Sequence, residues 1–492
     1  MFPYKTSIYL DKSVKEPLYL QLSNQLILLI REGQLTSGTK LIGSRQLAEL
    51  LGIHRKTVVA SYEELALQGW VESIPKKGTF VHNNLPNLYQ KRKERESVVK
   101  EKSGFSFYTS SILKAKKAFK VEEIIYLNDG TSDTRLTPLD EIARTYRRVA
   151  SKKSTYKHLD YGSTYGNNGL REILVSYLNS TRGLKVAKEN LLITRGSQMG
   201  MWLSAQLLLK EKDVIVVGTT NYASADITFK NTKATLKRVG VDQCGIQTNE
   251  IELLCKTTQI KAVYVTSHHH HPTTVTLSAE RRMHLLQLSK KHGFAIIEDD
   301  YDYDFNYNHA PILPLASHDT SGNVIYVGSV CKTVAPVFRI GYLIASKDFV
   351  DEAAKLRGYI DRQGDALLEL TFAEFIKSGD LDRHIRKVLR VYQQRRDLFC
   401  KLLKEELGDY FSFEIPKGGM AIWTQLNKKY TWKQVQEEAR KHNLEVGDYT
   451  RYDMAKTNHN SMRIGFASYT ENEIYELINR LKTTMKSITK KL

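Results

Sequence analysis

The chain has 492 residues, 41% of them hydrophobic, with 73 Lys and Arg against 54 Asp and Glu and a formal charge of +19. That length implies roughly two to four domains, and the basic charge favours nucleic-acid phosphate. A membrane span is excluded because no apolar run approaches about 18 residues. The start, MFPYKTSIYLDKSVKEP, lacks the apolar stretch of a signal peptide. Cys244, Cys255, Cys331 and Cys400 follow no metal or disulfide spacing, so reduced thiols in a cytoplasmic protein are expected.

In chain order, Leu18, Leu22, Leu26, Leu29 and Ile30 repeat at helical spacing. A second helix is expected to open with Ser44 as N-cap, to pack Leu47, Ala48 and Leu51, and to end at Gly52. A third helix follows over about 54–68, with Val58, Tyr62 and Leu65 inward. VESIPKKGTFV then alternates as a two-stranded ribbon with a Lys76-Lys77-Gly78 tip. Residues 1–82 therefore read as a winged helix-turn-helix, mainly α with a β-ribbon wing. Helix three is expected in the major groove, with Arg55, Lys56 and Ser61 facing out and Arg55 near the helix N-terminus where base edges are approached. Thr57 and Tyr62 are assigned to phosphates, Ser44 and Arg45 to the DNA backbone, and Lys76, Lys77 and Gly78 to a minor groove or phosphate. The plainer alternative is a set of solvated charges on a small interaction domain.

Residues 83–125 are polar and charged and read as a basic, flexible linker with some helical tendency. From 126 onward apolar runs alternate with helical stretches: LLIT (191–194), DVIVVG (213–218), KAVYVT (261–266), FAIIED (294–299) and NVIYVG (323–328), with helices such as Gln198–Leu209 and Ala279–His292 between them. This is the pattern of an α/β domain with a mainly parallel sheet covered on both faces. Residues from about 346 to 492 read as a smaller α+β lobe.

Five segments of this large region carry chemistry. GSVCKTVAPVFRIG places Lys332 after a buried strand and Arg339 seven residues on, an amine for a Schiff base and a cation for a phosphate. EDDYDYDF puts Asp299 and Tyr301 on one face, a carboxylate for a pyridine nitrogen and a phenol for a ring hydroxyl. TRGSQMGM sets Gly196, Ser197 and Gln198 at a strand-to-helix junction that favours phosphate. TTNYASA supplies Tyr222 for ring stacking, and SMRIGFASY supplies Arg463 as a carboxylate clamp. Each has a plainer reading: an acidic solvated loop, a surface ion pair, a core tyrosine. Their order and spacing together point to a pyridoxal phosphate site.

With DDY, GSxxK, an Arg seven later and RIGF in that order, residues 126–492 resemble the fold-type I aminotransferases, and YGSTYGNNGLREILVSYL (161–178) resembles the segment ahead of that family's phosphate site. Residues 14–82 resemble a GntR-type winged helix through PLYLQL, SRQLAELLG, HRKTVVASYEEL and GTFV. The fusion resembles the MocR/GabR regulators over nearly the whole chain. The resemblance implies pyridoxal 5'-phosphate as cofactor, with Lys332 forming the internal aldimine. It assigns Asp299 to the pyridine nitrogen, Tyr301 to the phenolic oxygen, and Tyr222 to the ring face. Ser197, Gln198, Ser329 and Arg339 are assigned to the phosphate, and Arg463 to an effector's carboxylate. It also implies a head-to-tail homodimer on a double-stranded operator.

The chain departs from the family at named places. Cys331 replaces a serine before the lysine, and Thr220 a proline before the stacking aromatic. HHHHPTT (268–274) replaces a pattern close to SHQFPTG, with His269 and His270 aligned to its His-Gln and Thr274 in place of glycine, so a different loop conformation is expected. No metal is expected there, because adjacent side chains rarely converge on one ion. His54 replaces a serine that caps helix three, and histidine is a poorer cap. Three functions fit these residues: a transcription regulator sensing an amino compound, a catalytically active aminotransferase with an accessory head, and a sensor of pyridoxal phosphate itself.

Overall fold

The computed structural model describes residues 2–85, 101–110, 123–307, 312–330 and 332–491. Two compact units divide the chain, 1–109 and 110–492. Most of the expected linker, 86–100 and 111–122, lies outside the described residues, as does Cys331; residues 101–110 form no helix or strand. The expected 83–125 boundary is slightly late, because Ile125 already belongs to a strand, Ile125–Leu127.

In the first unit, helices Leu18–Arg31, Ser44–Leu51 and Arg55–Leu67 enclose a core of Leu22, Leu26, Leu47, Val58 and Leu65, and Val71–Ile74 pairs antiparallel with Gly78–Val81. Gly52 takes the left-handed conformation (φ 60°) that ends the second helix. One expectation about helix starts is corrected. Gly43, not Ser44, is the N-cap of the second helix, and Ser44 is its first helical residue. His54 does cap the third helix: its Nδ1 accepts from the Lys56 N–H at 3.2 Å, so the imidazole takes over the role of the family's serine hydroxyl.

In the second unit, seven strands run across the sheet in the order Leu191–Thr194, Gly341–Ile344, Val324–Ser329, Ala295–Asp300, Ile260–Val265, Val214–Gly218, Thr235–Val239. Only Gly341–Ile344 is antiparallel to its neighbours. The strands alternate sides. Leu192, Ile215, Val217, Tyr264, Ile297 and Val327 pack on one face beneath helices Ser197–Leu208 and Lys347–Gly358. Ile193, Val216, Val263, Ile296, Tyr326 and Ile344 pack on the other, beneath helices such as Asn168–Arg182, Ala366–Lys377 and Ala279–His292. Both faces are dry, which is why these strands read as unbroken apolar runs; each fully buried Val, Ile or Leu contributes about 1.5–3 kcal/mol.

A smaller antiparallel sheet, Phe411–Phe413, Ala421–Leu426 and Ser461–Gly465, packs with helices Asp380–Leu407, Trp432–Ala439 and Glu471–Thr489 around its own core. The expected lobe boundary near 346 is corrected by this packing. Val350, Ala353, Ala354, Phe372 and Ile376 belong to the cores of the large sheet, whereas Leu127, far earlier in the chain, belongs to the small one. Ile125–Leu127 enters by pairing parallel with Leu444–Val446.

Candidate cofactor site and nucleic-acid interface

Five chain segments leave the large sheet at one edge, the C-terminal ends of its parallel strands, where ligands bind in open α/β folds. They are Arg195–Gln198, Thr219–Tyr222, Thr266–Thr274, Tyr301–Asp304, and the one that carries Val330 and Lys332; Arg339 reaches the same edge because its strand runs the other way. The sheet thus gathers six of the residues singled out from sequence within a few residues of strand ends: Ser197, Tyr222, Asp299, Tyr301, Lys332 and Arg339.

Lys332 Nζ donates to the Gly130 carbonyl at 2.7 Å. Asp299 is buried; its Oδ2 accepts from the Tyr264 hydroxyl at 2.8 Å, while its Oδ1 has no partner. Burial pushes the Asp299 carboxyl up to about 7, against the hydrogen bond from Tyr264. Tyr301 donates to the His269 carbonyl at 2.9 Å and accepts from Arg463 Nη2 at 3.4 Å. The Tyr222 ring lies 4.9 Å from that of His271, edge to face.

At the phosphate end, Gly196 (φ 75°) precedes the helix Ser197–Leu208. A side chain at 196 would sit 2.9–3.0 Å from the Arg339 guanidinium, so glycine is what lets the arginine lie against the helix N-terminus. Arg339 Nη2 donates to the Arg195 carbonyl at 2.6 Å, and the Ser329 hydroxyl donates to the Ile340 carbonyl at 3.1 Å. Gln198 donates to Thr228 Oγ1 at 2.7 Å.

Arg463, 1% exposed, projects from the small sheet. Its Nε donates to the Asp129 carbonyl at 2.9 Å and its Nη1 to the Pro272 carbonyl at 3.1 Å. No carboxylate among the described residues pairs with it. A buried guanidinium held only by neutral oxygens is the arrangement that receives an anion.

The four histidines go to four different partners. His268 Nδ1 is 3.3 Å from Asp300, His269 Nδ1 is 2.9 Å from Asp302, His270 Nε2 is 2.9 Å from the Thr220 carbonyl, and His271 Nε2 is 3.8 Å from Asp129. Thr274 takes φ 65°, a left-handed conformation that suits a glycine, so the loop carries backbone strain in a β-branched residue.

Asp129 and Arg451, which no sequence motif singles out, meet His271 of the histidine run here. Arg451 Nη2 lies 3.0 Å from the Asp129 carboxylate. Burial opposes the Asp129 charge, yet His271 and Arg451 hold its carboxyl well below the usual carboxylate range. Buried polar side-chain atoms without partners cluster here: Asp299 Oδ1, Asp302 Oδ2, Thr220 Oγ1, Thr273 Oγ1, His271 Nδ1 and Arg451 Nε. Native proteins leave few such atoms, and a cluster of them marks a place for a polar ligand. Pyridoxal phosphate fits this set: a protonated pyridine nitrogen answers the open Asp299 oxygen, and a phosphate suits the Gly196 turn with Arg339.

In the first unit Arg45, Arg55, Lys56, Lys76, Lys77 and Gly78 are exposed, and Ser44 and Thr57 half-exposed. Arg55 Nε donates to Ser44 Oγ at 3.4 Å, joining the two helices of the motif. Ser61 and Tyr62 are corrected: both are buried, Ser61 with its hydroxyl 2.9 Å from that of Ser23, and Tyr62 donating to the Ile42 carbonyl at 2.8 Å. Positions 58, 61, 62 and 65 are spaced i, i+3, i+4, i+7 and share one face, so neither side chain is offered to DNA. Lys40, unremarked in the sequence, lies across Gly78 with its ammonium 5.9 Å from the Phe80 ring centroid, adding a cation to the wing.

The aminotransferase class I and II family profile matches residues 122–481, and that of the bacterial regulatory proteins of the gntR family matches residues 18–81. Over 472 residues the chain is 28% identical to the uncharacterized HTH-type transcriptional regulator YisV of Bacillus subtilis (strain 168), covering 96% of this chain and 95% of that protein. It is 24% identical to the "Probable rhizopine catabolism regulatory protein MocR" of Rhizobium meliloti, covering 98% and 96%. Among solved structures, the kynurenine aminotransferase of Pyrococcus horikoshii, in complex with PMP, aligns with TM-score 0.69 and 28% identity over 74% of this chain and 91% of that one. The multiple substrate aminotransferase of Thermococcus profundus aligns with TM-score 0.70 and 26% identity over 76% and 94%.

Proposed function

We propose that this chain, which belongs to the aminotransferase class I and II family and carries a GntR-family head, is a MocR-type transcription regulator that senses an amino compound bearing an acid group through pyridoxal phosphate. One observation carries the ligand class: among the described residues the buried Arg463 guanidinium has three neutral oxygens and no carboxylate, in the site that holds Lys332 and Asp299. In this reading Lys332 holds the cofactor, Asp299 pairs with its pyridine nitrogen, and Tyr222 and Tyr301 border its ring. Ser197, Gln198, Ser329 and Arg339 hold the phosphate, and Arg463 takes the ligand's acid group. When bound, the cofactor supplies an electrophilic carbon for the ligand's amine and an electron sink. The chain's own groups orient it: Tyr264 fixes Asp299 and the Gly130 carbonyl orients the Lys332 amine.

Ligand binding shifts the head between two DNA-binding states only by its differential affinity for them. The reading includes a cytoplasmic location and a homodimer, head to tail, on two half-sites, with Arg45, Arg55, Lys56, Lys76 and Lys77 toward the DNA. Full-length protein loaded with pyridoxal phosphate is mixed with candidate amino acids while cofactor absorbance and affinity for DNA upstream of its own gene are followed. A lasting spectral change coupled to altered DNA affinity supports the regulator. A Lys332→Ala protein with undiminished ligand response overturns it. The likeness to solved aminotransferases keeps a second reading open, turnover, and keto-acid release under the same conditions identifies it.

A further inference from the structure

Two guanidinium groups meet at one residue of the site, Asp129, which stands just past the strand Ile125–Leu127. Arg451 Nη2 is 3.0 Å from its carboxylate, and Arg463 Nε donates to its carbonyl oxygen at 2.9 Å. They differ in what neutralises them. Arg451 has a carboxylate; among the described residues Arg463 has only the Asp129 and Pro272 carbonyls and the Tyr301 hydroxyl. Arg451 is not saturated, since its Nε is buried without a partner.

The remaining groups that face Asp129 leave the balance unchanged. His271, pulled down by burial to about 4, is neutral at pH 7, and Tyr452, which accepts from Arg451 Nη2 at 2.6 Å, is held neutral by burial. Lys332 donates to the adjacent Gly130 carbonyl and, in the function proposed above, is committed to the cofactor. Among the described residues, Arg451 and Arg463 therefore stand against the Asp129 carboxylate, with Asp448 adding a weaker negative charge on the Arg451 side only. A ligand with one acid group, taken by Arg463, completes the balance. A second acid group has one other cation to turn to, Arg451, and there it meets the Asp129 carboxylate. Like charges brought together in a partly desolvated site repel one another and weaken binding.

We propose that Asp129 is a specificity-determining residue: by occupying Arg451 it restricts the site to amino compounds with a single acid group and refuses dicarboxylic amino acids. This rests on the reading that the site receives an amino compound at Arg463.

The test uses full-length protein loaded with pyridoxal phosphate and two matched pairs of probes, L-glutamine with L-glutamate and L-asparagine with L-aspartate, which differ within each pair by one charge. Dissociation constants come from calorimetry, with cofactor absorbance as the second readout. The wild type is expected to favour each amide over its acid by at least about tenfold. Asp129→Asn keeps the side chain's shape and an acceptor for Arg451, and is expected to move that ratio at least about tenfold toward the acids. Adding Arg451→Gln to it is expected to cancel the gain. Arg451→Gln alone, which leaves the Asp129 charge uncovered, is expected to raise the amide preference further. Amide binding with the same ratio in wild type and Asp129→Asn overturns the proposal and leaves the reading beneath it standing. Absorbance and heats unmoved by all four probes in every protein overturn both.

Discussion

Asp299→Asn separates what the buried carboxylate costs from what it does. Asp299 is 3% exposed, keeps one oxygen on the Tyr264 hydroxyl, and leaves the other without a partner. Burial raises its carboxyl from an ordinary 3.8 to about 7. For an acid raised on folding, the folded state holds the proton while the unfolded state has released it. Stability is therefore fully present below about pH 4 and falls as pH climbs through about 7. At about 1.4 kcal/mol per pH unit the accumulated penalty by pH 8 is roughly 4 kcal/mol. Asparagine accepts the same Tyr264 hydrogen bond and does not ionise. In urea unfolding of the cofactor-free protein, wild type and Asp299→Asn are expected to converge as the pH falls to about 3.5. At pH 8 the variant is expected to be more stable by about 2–4 kcal/mol. Cofactor affinity is expected to move the other way. Losing a charge-assisted hydrogen bond to the pyridine nitrogen costs about 1.5–3 kcal/mol, roughly a ten- to hundredfold weaker binding by absorbance titration. Parallel pH profiles in the two proteins, or unweakened cofactor binding, would refute the assignment of Asp299 to the buried pyridine partner.

Three further outcomes are expected. Arg55→Ala should weaken operator binding by about 1–3 kcal/mol, as for a lost base contact; an equal loss on unrelated DNA in the same gel-shift series would make Arg55 a phosphate contact. Ser61→Ala should leave operator affinity unchanged while costing the first unit about 1 kcal/mol of stability, since it removes the buried bond to Ser23; a selective loss of DNA binding at unchanged stability would return Ser61 to the DNA face. Thr274→Gly should stabilise the protein by about 0.5–1 kcal/mol, the relief of a left-handed β-branched residue less the added freedom of the unfolded glycine; thermal melts showing destabilisation would rule out strain at that turn.

Local patterns in the chain were enough to locate the head's three helices and wing, five of the seven central strands, and Lys332, Asp299 and Arg339 near one edge of the sheet, but not Asp129 or Arg451. They are legible because each depends on short-range physics. Doubly buried parallel strands are continuous apolar runs, glycines mark turns, and a site residue stands at a strand end. Gly341–Ile344 and Thr235–Val239 escaped notice because short strands carry little periodicity of their own. Ser61 was legible in principle, since its i+3 spacing from Val58 puts it inside, but its polarity suggested a surface; only the packing of helix Leu18–Arg31, which brings Ser23 against it, makes a buried hydroxyl acceptable.

The order of its motifs, through their resemblance to known families, was enough to read this chain as a winged helix-turn-helix head joined to an aminotransferase-like body. Tertiary structure decided which charges face each other. Asp129 meets Arg451 and Arg463 because the strand Ile125–Leu127 pairs with Leu444–Val446, a contact between distant parts of the chain. Among the described residues the fold also leaves Arg463 without a carboxylate and Asp299 with an open oxygen. Periodicity records which face of an element is buried, but a charge's partner is set by which elements the fold brings together, and that has no period in the sequence.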